Sequence, residues 1–533
     1  MFKKSLGLGF AAGLFLVFLF GNFVMAGEVT KKATNLEELK QQRKEAAHRQ
    51  RRVIFNNDGG DAVIQCEDAK PETLLKCRTT DLVGTQVDTI AYCTRSSGFG
   101  LFTHNTKVGE IFTCTEGRYH KNITAKLIEQ GTDCLKIMVD FCHKNDLEIF
   151  WTMRMDDTHD ATNPLGLPQL KKDHPDWLIG SKAKPPKYGR WSAVDYGQKE
   201  IRDLAFRYCE EVCKNYDVDG IELDFFRTPV LFKKQARGEP LGQEERDMMT
   251  DMVRRIRKMT ERVGLGRGRP ILVSVRVPDS VECAAAIGID IVRWMKEDLI
   301  DILVVSGLYR LNPWETSVEL GHQFGVPVYP CLSESRLRDK QALAVRKSPE
   351  CYRARAMNVW NSGADGVYMF NLSDSRSPLY REIGDTKTLE FTDKVYTTVA
   401  RDTGWLEYSL AGGLKFMNRQ IVSPRHPVKL TAGKTSTIEL RVGQDLQAGQ
   451  TEKKTPDVQL HLRVKNLASA DDLSVKLNGK PLSGGTKSGK WLEYPVDPSL
   501  VQKGLNRFTI TPKPNTKAKL TVEDLLLWVR YKE

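Results

Sequence analysis

Eight short apolar runs, most of them followed by an amphipathic helical stretch, constrain this chain more than any other feature. The runs are Val53–Asn56, Thr89–Cys93, Glu148–Met153, Gly220–Phe225, Ile271–Val277, Ile302–Ser306, Val326–Cys331 and Gly366–Phe370. Helical patterns lie at Ala125–His143, Gln198–Tyr216, Glu244–Val263, Ala284–Glu297, Trp314–Phe324 and Pro349–Asn361. Strands that are apolar on both faces and alternate with helices need a parallel sheet covered by those helices. Eight such units in succession predict an α/β fold, a closed (β/α)8 TIM barrel. An open doubly wound sheet is the alternative. No glycine-rich phosphate loop follows the first run, which weakens a nucleotide-binding version of it.

From about Leu410 the pattern changes. Helical periodicity stops and alternating strands appear at Thr437–Val442, Val458–Lys465, Leu473–Leu477, Trp491–Pro495, Asn506–Thr511 and Leu525–Tyr531. Asn478-Gly479-Lys480 and Ser483-Gly484-Gly485 supply turn signals between them. This predicts a small all-β, jelly-roll-like sandwich. The resulting division is a signal peptide at 1–26, a charged helical leader at 27–50, the barrel at 51–405 and the sandwich at 420–533.

The N-terminus reads as an export signal. Lys3 and Lys4 precede an apolar run from Leu6 to Val24, and Val24-Met25-Ala26 puts small residues where a signal peptidase reads. The run is near the ~20 residues that span a bilayer, so an uncleaved anchor is the competing reading. Cleavage would make the protein periplasmic or extracellular. Export permits disulfides, and the chain has 11 cysteines. Their number is odd and no CxxC pair occurs, so buried thiols with one or two bridges are expected rather than a zinc site.

The net charge of +12 is unevenly placed. Residues 410–533 carry 21 Lys or Arg against 11 Asp or Glu, and the first 26 carry two Lys and no acid, leaving residues 27–409 neutral. A neutral body argues against nucleic acid as a partner. The basic tail fits a solubilising surface, or contact with an anionic glycan or cell envelope.

In a barrel of this kind the chemistry sits at the C-terminal ends of the strands. The fourth strand is the most informative. In Gly220-Ile221-Glu222-Leu223-Asp224-Phe225, alternation sends Ile221, Leu223 and Phe225 toward the helices and Glu222 and Asp224 toward the axis. Two acids on one buried face are costly unless paired or used. Their Cα atoms should lie roughly 6.5–7 Å apart, so their pKa values can split as acid/base hydrolysis requires. Arg227 follows just past the strand, where it would clamp a carboxylate or a substrate. A structural Glu–Arg–Asp network is the plainer alternative.

The third strand ends in Arg154-Met155-Asp156-Asp157-Thr158-His159-Asp160, a set suited to sugar hydroxyls, to a metal, or to a capped polar loop. Asn57 and Asp58 end the first strand, Arg276 belongs to the fifth, Tyr309 follows the sixth, Glu334 the seventh and Asn371 the eighth. Trp151, Trp177, Trp191, Tyr188 and Tyr309 offer flat faces of the kind that stack on sugar rings.

These residues resemble a known family. Ile54-Phe55-Asn56-Asn57-Asp58, His174-Pro175-Asp176-Trp177-Leu178, the stretch from Trp191 to Arg202, and above all Tyr216-Asp217-Val218-Asp219-Gly220-Ile221-Glu222-Leu223-Asp224-Phe225-Phe226-Arg227 are similar to the family-10-like glycosyl hydrolases. The resemblance spans roughly residues 50–390 and implies a barrel fold and glycosidic-bond cleavage. The fourth strand also looks like the α-amylase type, with Glu222 where that type has Arg. It looks like the chitinase type too, with Phe226 where that type has its acid. The C-terminal part, through Val475 to Leu482 and Lys503 to Arg507, is similar to the β-sandwich modules that accompany glycosidases.

The expected function is an exported glycoside hydrolase acting on a poly- or oligosaccharide, without cofactor or metal. Glycoside hydrolysis uses two carboxyl groups. Asp224 is the expected nucleophile or base, and Glu222 or Glu334 the expected acid. Asn57, Asp58, Arg154, Asp156, Asp157, His159, Arg227, Arg276, Tyr309 and Asn371 are the expected substrate contacts. Two rivals stay open: a non-catalytic carbohydrate-binding or cell-surface barrel protein, and a metal-assisted hydrolase using the Asp156–Asp160 cluster.

Overall fold

The structure, a computed structural model, describes residues 32–95, 97–448 and 455–531, and the expected signal peptide lies outside them. Eight parallel strands close a barrel: β1 (Val53–Asn57), β2 (Val87–Tyr92), β3 (Glu148–Arg154), β4 (Gly220–Asp224), β5 (Leu272–Val277), β6 (Ile302–Val305), β7 (Val328–Ser333) and β8 (Val367–Phe370). Each pairs with the next and β8 returns to β1, so no edge is left unpaired. Nearly every strand residue is buried, as expected of strands covered by helices outside and by packed side chains inside.

The leading helix Leu36–Ala47 packs against the long helix Gln243–Arg267. Asn35 caps it by accepting from the Glu38 amide, and Leu39, Arg43 and Ala47 are its buried face. Arg51, wholly buried, then donates to both Glu148 oxygens (2.6 and 2.7 Å) and to the carbonyls of Ala46 and Ala47. Thr89 Oγ1 donates to the same carboxylate at 2.7 Å. The pair is fully bonded, as a buried charge must be.

Two helices expected to be continuous are each broken. The stretch Ala125–His143 divides into Thr124–Glu129 and Cys134–Lys144, with Gly131 at φ +79° between them and Asp133 capping the second. Ala284–Glu297 divides into Val281–Ala286 and Ile291–Lys296, with Gly288 at φ +89° and Asp290 as cap. In both, a left-handed glycine ends one helix and an aspartate starts the next.

The C-terminal region is two antiparallel sheets packed around one apolar cluster. One holds β9 (Lys394–Thr397), β10 (Val428–Lys429), β12 (Asp457–Lys465), β15 (Thr486–Ser488), β16 (Trp491–Val496) and β18 (Thr521–Arg530). The other holds β11 (Ser436–Val442), β13 (Leu473–Leu477), β14 (Lys480–Pro481) and β17 (Gly504–Pro512). Burial alternates along β13 and β17, the period-two pattern visible in the sequence. β9 lies in the stretch given to the barrel, yet it pairs with β18 and is an edge strand of the sandwich.

All eleven cysteines are free thiols, nine of them buried, so the expected one or two bridges do not form. Cys66 and Cys77 come nearest, with sulfurs 3.8 Å apart. Among the described residues no helix is long and apolar enough to cross a membrane.

Candidate functional site

Strand register builds the site. Thr152, Glu222 and Ser274 lie side by side across β3, β4 and β5, and Arg154, Asp224 and Arg276 lie side by side one layer nearer the mouth. Asp224 is gripped by Arg276, with Nε donating to Oδ1 at 3.0 Å and Nη2 to Oδ2 at 2.5 Å. The amides of Phe226 and Arg227 also donate to Oδ1, both at 3.0 Å. Arg276 is fully buried, lies 4.0 Å from the centroid of the Phe370 ring at the end of β8, and keeps one nitrogen, Nη1, without a partner. Gly307 makes room for it: at φ +132°, a Cβ there would sit 2.8 Å from Arg276 Nη1.

Glu222 is also buried. Tyr368 OH donates to its Oε1 at 2.8 Å and Thr152 Oγ1 at 3.1 Å. Burial pushes its carboxyl up to about 7, the negative charge of Asp224 adds to that, and Arg276 with the two hydroxyls only partly offsets it. Of the two acids on one strand face, one is the counter-ion of Arg276 and the other keeps its proton into the neutral range.

Beside them lies a second network. Arg154 Nη1 donates to Asp157 Oδ2 at 3.0 Å, and Asp157 also faces His159 Nδ1 at 2.8 Å. Burial alone would raise Asp157, but His159, Arg154 and Arg227 hold it well below the usual carboxylate range. Asp157 pulls His159 upward, while burial and the charges of Arg227 and Arg154 outweigh it, leaving a lowered pKa and a neutral ring at pH 7. Nδ1–H then donates to Asp157 and Nε2 accepts from Arg227 Nη2 at 3.0 Å. Burial and repulsion from Arg154 lower Arg227 to about 10, so it stays charged. His159 is about half exposed, the most open member of this group.

Several expected contacts are turned away from the mouth. Asp156 is completely buried: its Oδ1 accepts from the Val194 amide at 3.3 Å, its Oδ2 has no partner, and burial raises its carboxyl far above the ordinary value. Asp160 pairs with buried Lys171 at 2.9 Å. The acids of the 156–160 run thus diverge to different partners and do not converge as metal ligands do. No group of three or more His, Cys, Asp or Glu able to hold a metal occurs among the described residues.

Asn57 is buried and supports the turn after β1, donating to Asp61 Oδ2 and accepting from the Gly59 amide. Asp58 is half exposed but paired with Arg78 at 2.5 Å. Tyr309 is 2% exposed, packs edge-on against Phe226, and directs its hydroxyl at Cys283. Trp151 belongs to the core, with Nε1 donating to Thr94. Asn371 sits at the β8 end with φ +60° and an unpartnered, buried Nδ2. Glu334, partly exposed, pairs with Arg336 at 2.5 Å.

The sequence reading missed Tyr368 and Thr152. Both are inward-facing by alternation and could have been found by extending that test inward from each strand end. It also missed Arg401, whose Nη1 donates to Ser333 Oγ at 2.7 Å. Arg401 comes from the segment after the barrel, and no strand-end rule reaches it.

These features define a class: a (β/α)8-barrel protein whose mouth carries a carboxyl pair of split character among buried arginines. Residues 79–260 match the family described as glycosyl hydrolase-like 10. The match bears out the resemblance read from the β4 motif, which lies inside it, and stops well short of the 50–390 expected. Over 144 residues the chain is 28% identical to the glycosyl hydrolase YngK of Bacillus subtilis (strain 168), covering 24% of this chain and 27% of that protein. Among solved structures it is similar to alpha-L-fucosidase isoenzyme 2 from Paenibacillus thiaminolyticus, with 14% identity, TM-score 0.39, and 63% of this chain against 48% of that one. It is also similar to the GH36 alpha-galactosidase AgaA from Geobacillus stearothermophilus, with 10% identity, TM-score 0.37, and 93% of this chain against 59% of that one. The matches span less than two thirds of each of these relatives.

Proposed function

We propose that the protein is an exported glycoside hydrolase that cleaves O-glycosidic bonds of a poly- or oligosaccharide with carboxyl chemistry. The observation that carries this is the split pair on β4. Glycosidases need one carboxyl protonated near neutrality and one ionised. Glu222 meets the first condition and Asp224, ion-paired to Arg276, the second. In this reading Glu222 is the acid, Asp224 the nucleophile or base, and His159 and Arg227, held in place by buried Asp157 and Arg154, meet hydroxyls at the mouth. Glu334 is the competing acid; it is partly exposed and bonded to Arg336 at 2.5 Å, not enclosed within the barrel as Glu222 is.

A second reading, a non-catalytic carbohydrate-binding barrel, draws on the closure of the pair, since both Asp224 oxygens are occupied and both acids are about 1–2% exposed.

The test is product detection on neutral, sulfated and uronic polysaccharides with wild type, Glu222→Gln and Glu334→Gln. Loss of turnover by roughly 10²-fold or more in Glu222→Gln, with Glu334→Gln near wild type, is expected. The reverse pattern would move the acid to Glu334. No product from any glycan would favour the binding reading. Asp224→Asn is a poorer probe because it strands the Arg276 charge and should cost about 3–5 kcal/mol of stability.

A further inference from the structure

Beside the barrel mouth lies a cleft of about 440 Å³ lined by Arg190, Arg336, Arg338, Arg401 and Arg425, with Trp405 and Tyr408. It adjoins the site on two sides. Arg401 is bonded to Ser333, the last residue of β7, and Arg190 Nη1 donates to the carbonyl of Thr158 (3.2 Å), next to His159. Burial, and then the charges of Arg336 and Arg227, lower Arg401 to about 9.

Positive charge in the cleft exceeds what the protein itself neutralises. Glu334 answers Arg336 at 2.5 Å and Glu407 answers Arg425 at 3.1 Å. The one acid lining the cleft, Asp402, faces His426 at 3.6 Å. Among the described residues, Arg190, Arg338 and Arg401 have no carboxylate partner. Arg401 is the telling one: it is 8% exposed, and its Nη2 has no hydrogen-bond partner. A buried guanidinium with an unmet donor is costly unless something supplies an acceptor. Trp405 and Tyr408 stand edge to face 5.8 Å apart, half-buried and exposed respectively, which leaves aromatic surface beside the cations.

From this geometry we propose that the cleft is a subsite for an acidic sugar, binding the carboxylate or sulfate of a uronic or sulfated glycan through Arg338 and Arg401 while its ring packs on Trp405. The proposal names the substrate class of the reading above and rests on it for the statement that the bound glycan is a substrate. Planar arginine donors suit oxyanions, and an aromatic face suits the apolar side of a sugar ring.

The test is calorimetric titration of the full chain with oligogalacturonate, sulfated dextran oligosaccharides and neutral dextran oligosaccharides of matched length. At least one anionic probe should bind about tenfold or more tighter than the neutral one, with affinity falling as salt rises. The uronate and sulfate arms identify the anion. Arg338→Gln, an exposed position, should remove most of the difference. The double variant Lys476→Gln/Lys480→Gln, on the basic sandwich surface, should keep it.

Equal binding of all three probes, or loss in the lysine variant with retention in Arg338→Gln, overturns the proposal. Binding requires no turnover. Arg338-dependent anion binding without hydrolysis of any glycan would sink the hydrolase reading and keep the cleft as an anion site. Hydrolysis of a neutral glycan with no anion preference would do the opposite.

Discussion

At the residue scale the unusual group is Glu222, a carboxyl that binds its proton up to about 7 instead of the ordinary 4.5. Between those two pH values the folded protein holds one more proton at this position than the unfolded chain. Its contribution to stability is therefore full below about pH 4.5, falls as pH rises toward 7, and is lost above it. Other buried acids titrate as well, so the comparison is with Glu222→Gln, which has no such proton. The unfolding free energy of wild type relative to Glu222→Gln should fall by roughly 3 kcal/mol between pH 4.5 and 8, read from urea melts. A difference independent of pH would contradict the assignment. If Glu222 is the acid, kcat/KM should also decline above about pH 7 as it loses its proton. The inward direction of Glu222 and Asp224 was legible from alternation alone. Their different fates were not, because Arg276 and Tyr368 reach them from strands 52 and 146 residues away in the chain.

At the scale of elements, the loop after β3 shows where local reading ran out. Its three acids looked like a functional cluster, and one of them, Asp160, is a fastening. Lys171, wholly buried, donates to Asp160 and to the carbonyls of Asp157 and Ser192, while the Ser192 hydroxyl donates to Asp160. One buried ammonium thus ties Asp157 and Asp160, at the start of the long insert between β3 and the helix Lys199–Asn215 (residues 155–198), to Ser192 near its end. Lys171→Met should leave Asp160 buried without its cation, at a cost of about 3–5 kcal/mol in urea denaturation. It should also weaken glycan binding without altering the pH profile of turnover. A change under 1 kcal/mol would show that the insert is held by its apolar contacts instead. Nothing in the spacing of Asp156, Asp157 and Asp160 tells which of them faces the mouth, because the segment has left the strand and its alternation no longer applies.

At the scale of the whole molecule, barrel and sandwich are more closely joined than their contrasting sequence patterns imply. Arg346, in the barrel helix Lys340–Lys347, makes a fully buried two-pronged pair with Asp524 of β18, 2.6 Å on each prong. Cys351 of the helix Pro349–Asn361 packs with Val395 of β9 and Leu526 of β18 in one apolar cluster. Ending the chain at residue 409 would leave β9 without β18 and Arg346 without its counter-ion. That truncated barrel should be insoluble, or soluble with strong binding of a hydrophobic dye and a melting transition lower by ten degrees or more. A well-folded barrel with wild-type melting would show that the sandwich is a detachable module.

The sequence by itself determined the eight strands, the barrel, the position and alternation of the sandwich, and the inward face of β4. All of these follow from periodicities of 2.0 and 3.6 residues that each segment carries alone. Only the tertiary structure decided which polar groups meet. It gave Asp224 to Arg276, turned Asp156 and Tyr309 away from the mouth, made β9 part of the sandwich, and gathered five arginines from separated segments into one cleft. Such pairings depend on how strands and connections far apart in the chain are brought together, and burial then amplifies each one by removing the water that would otherwise screen it.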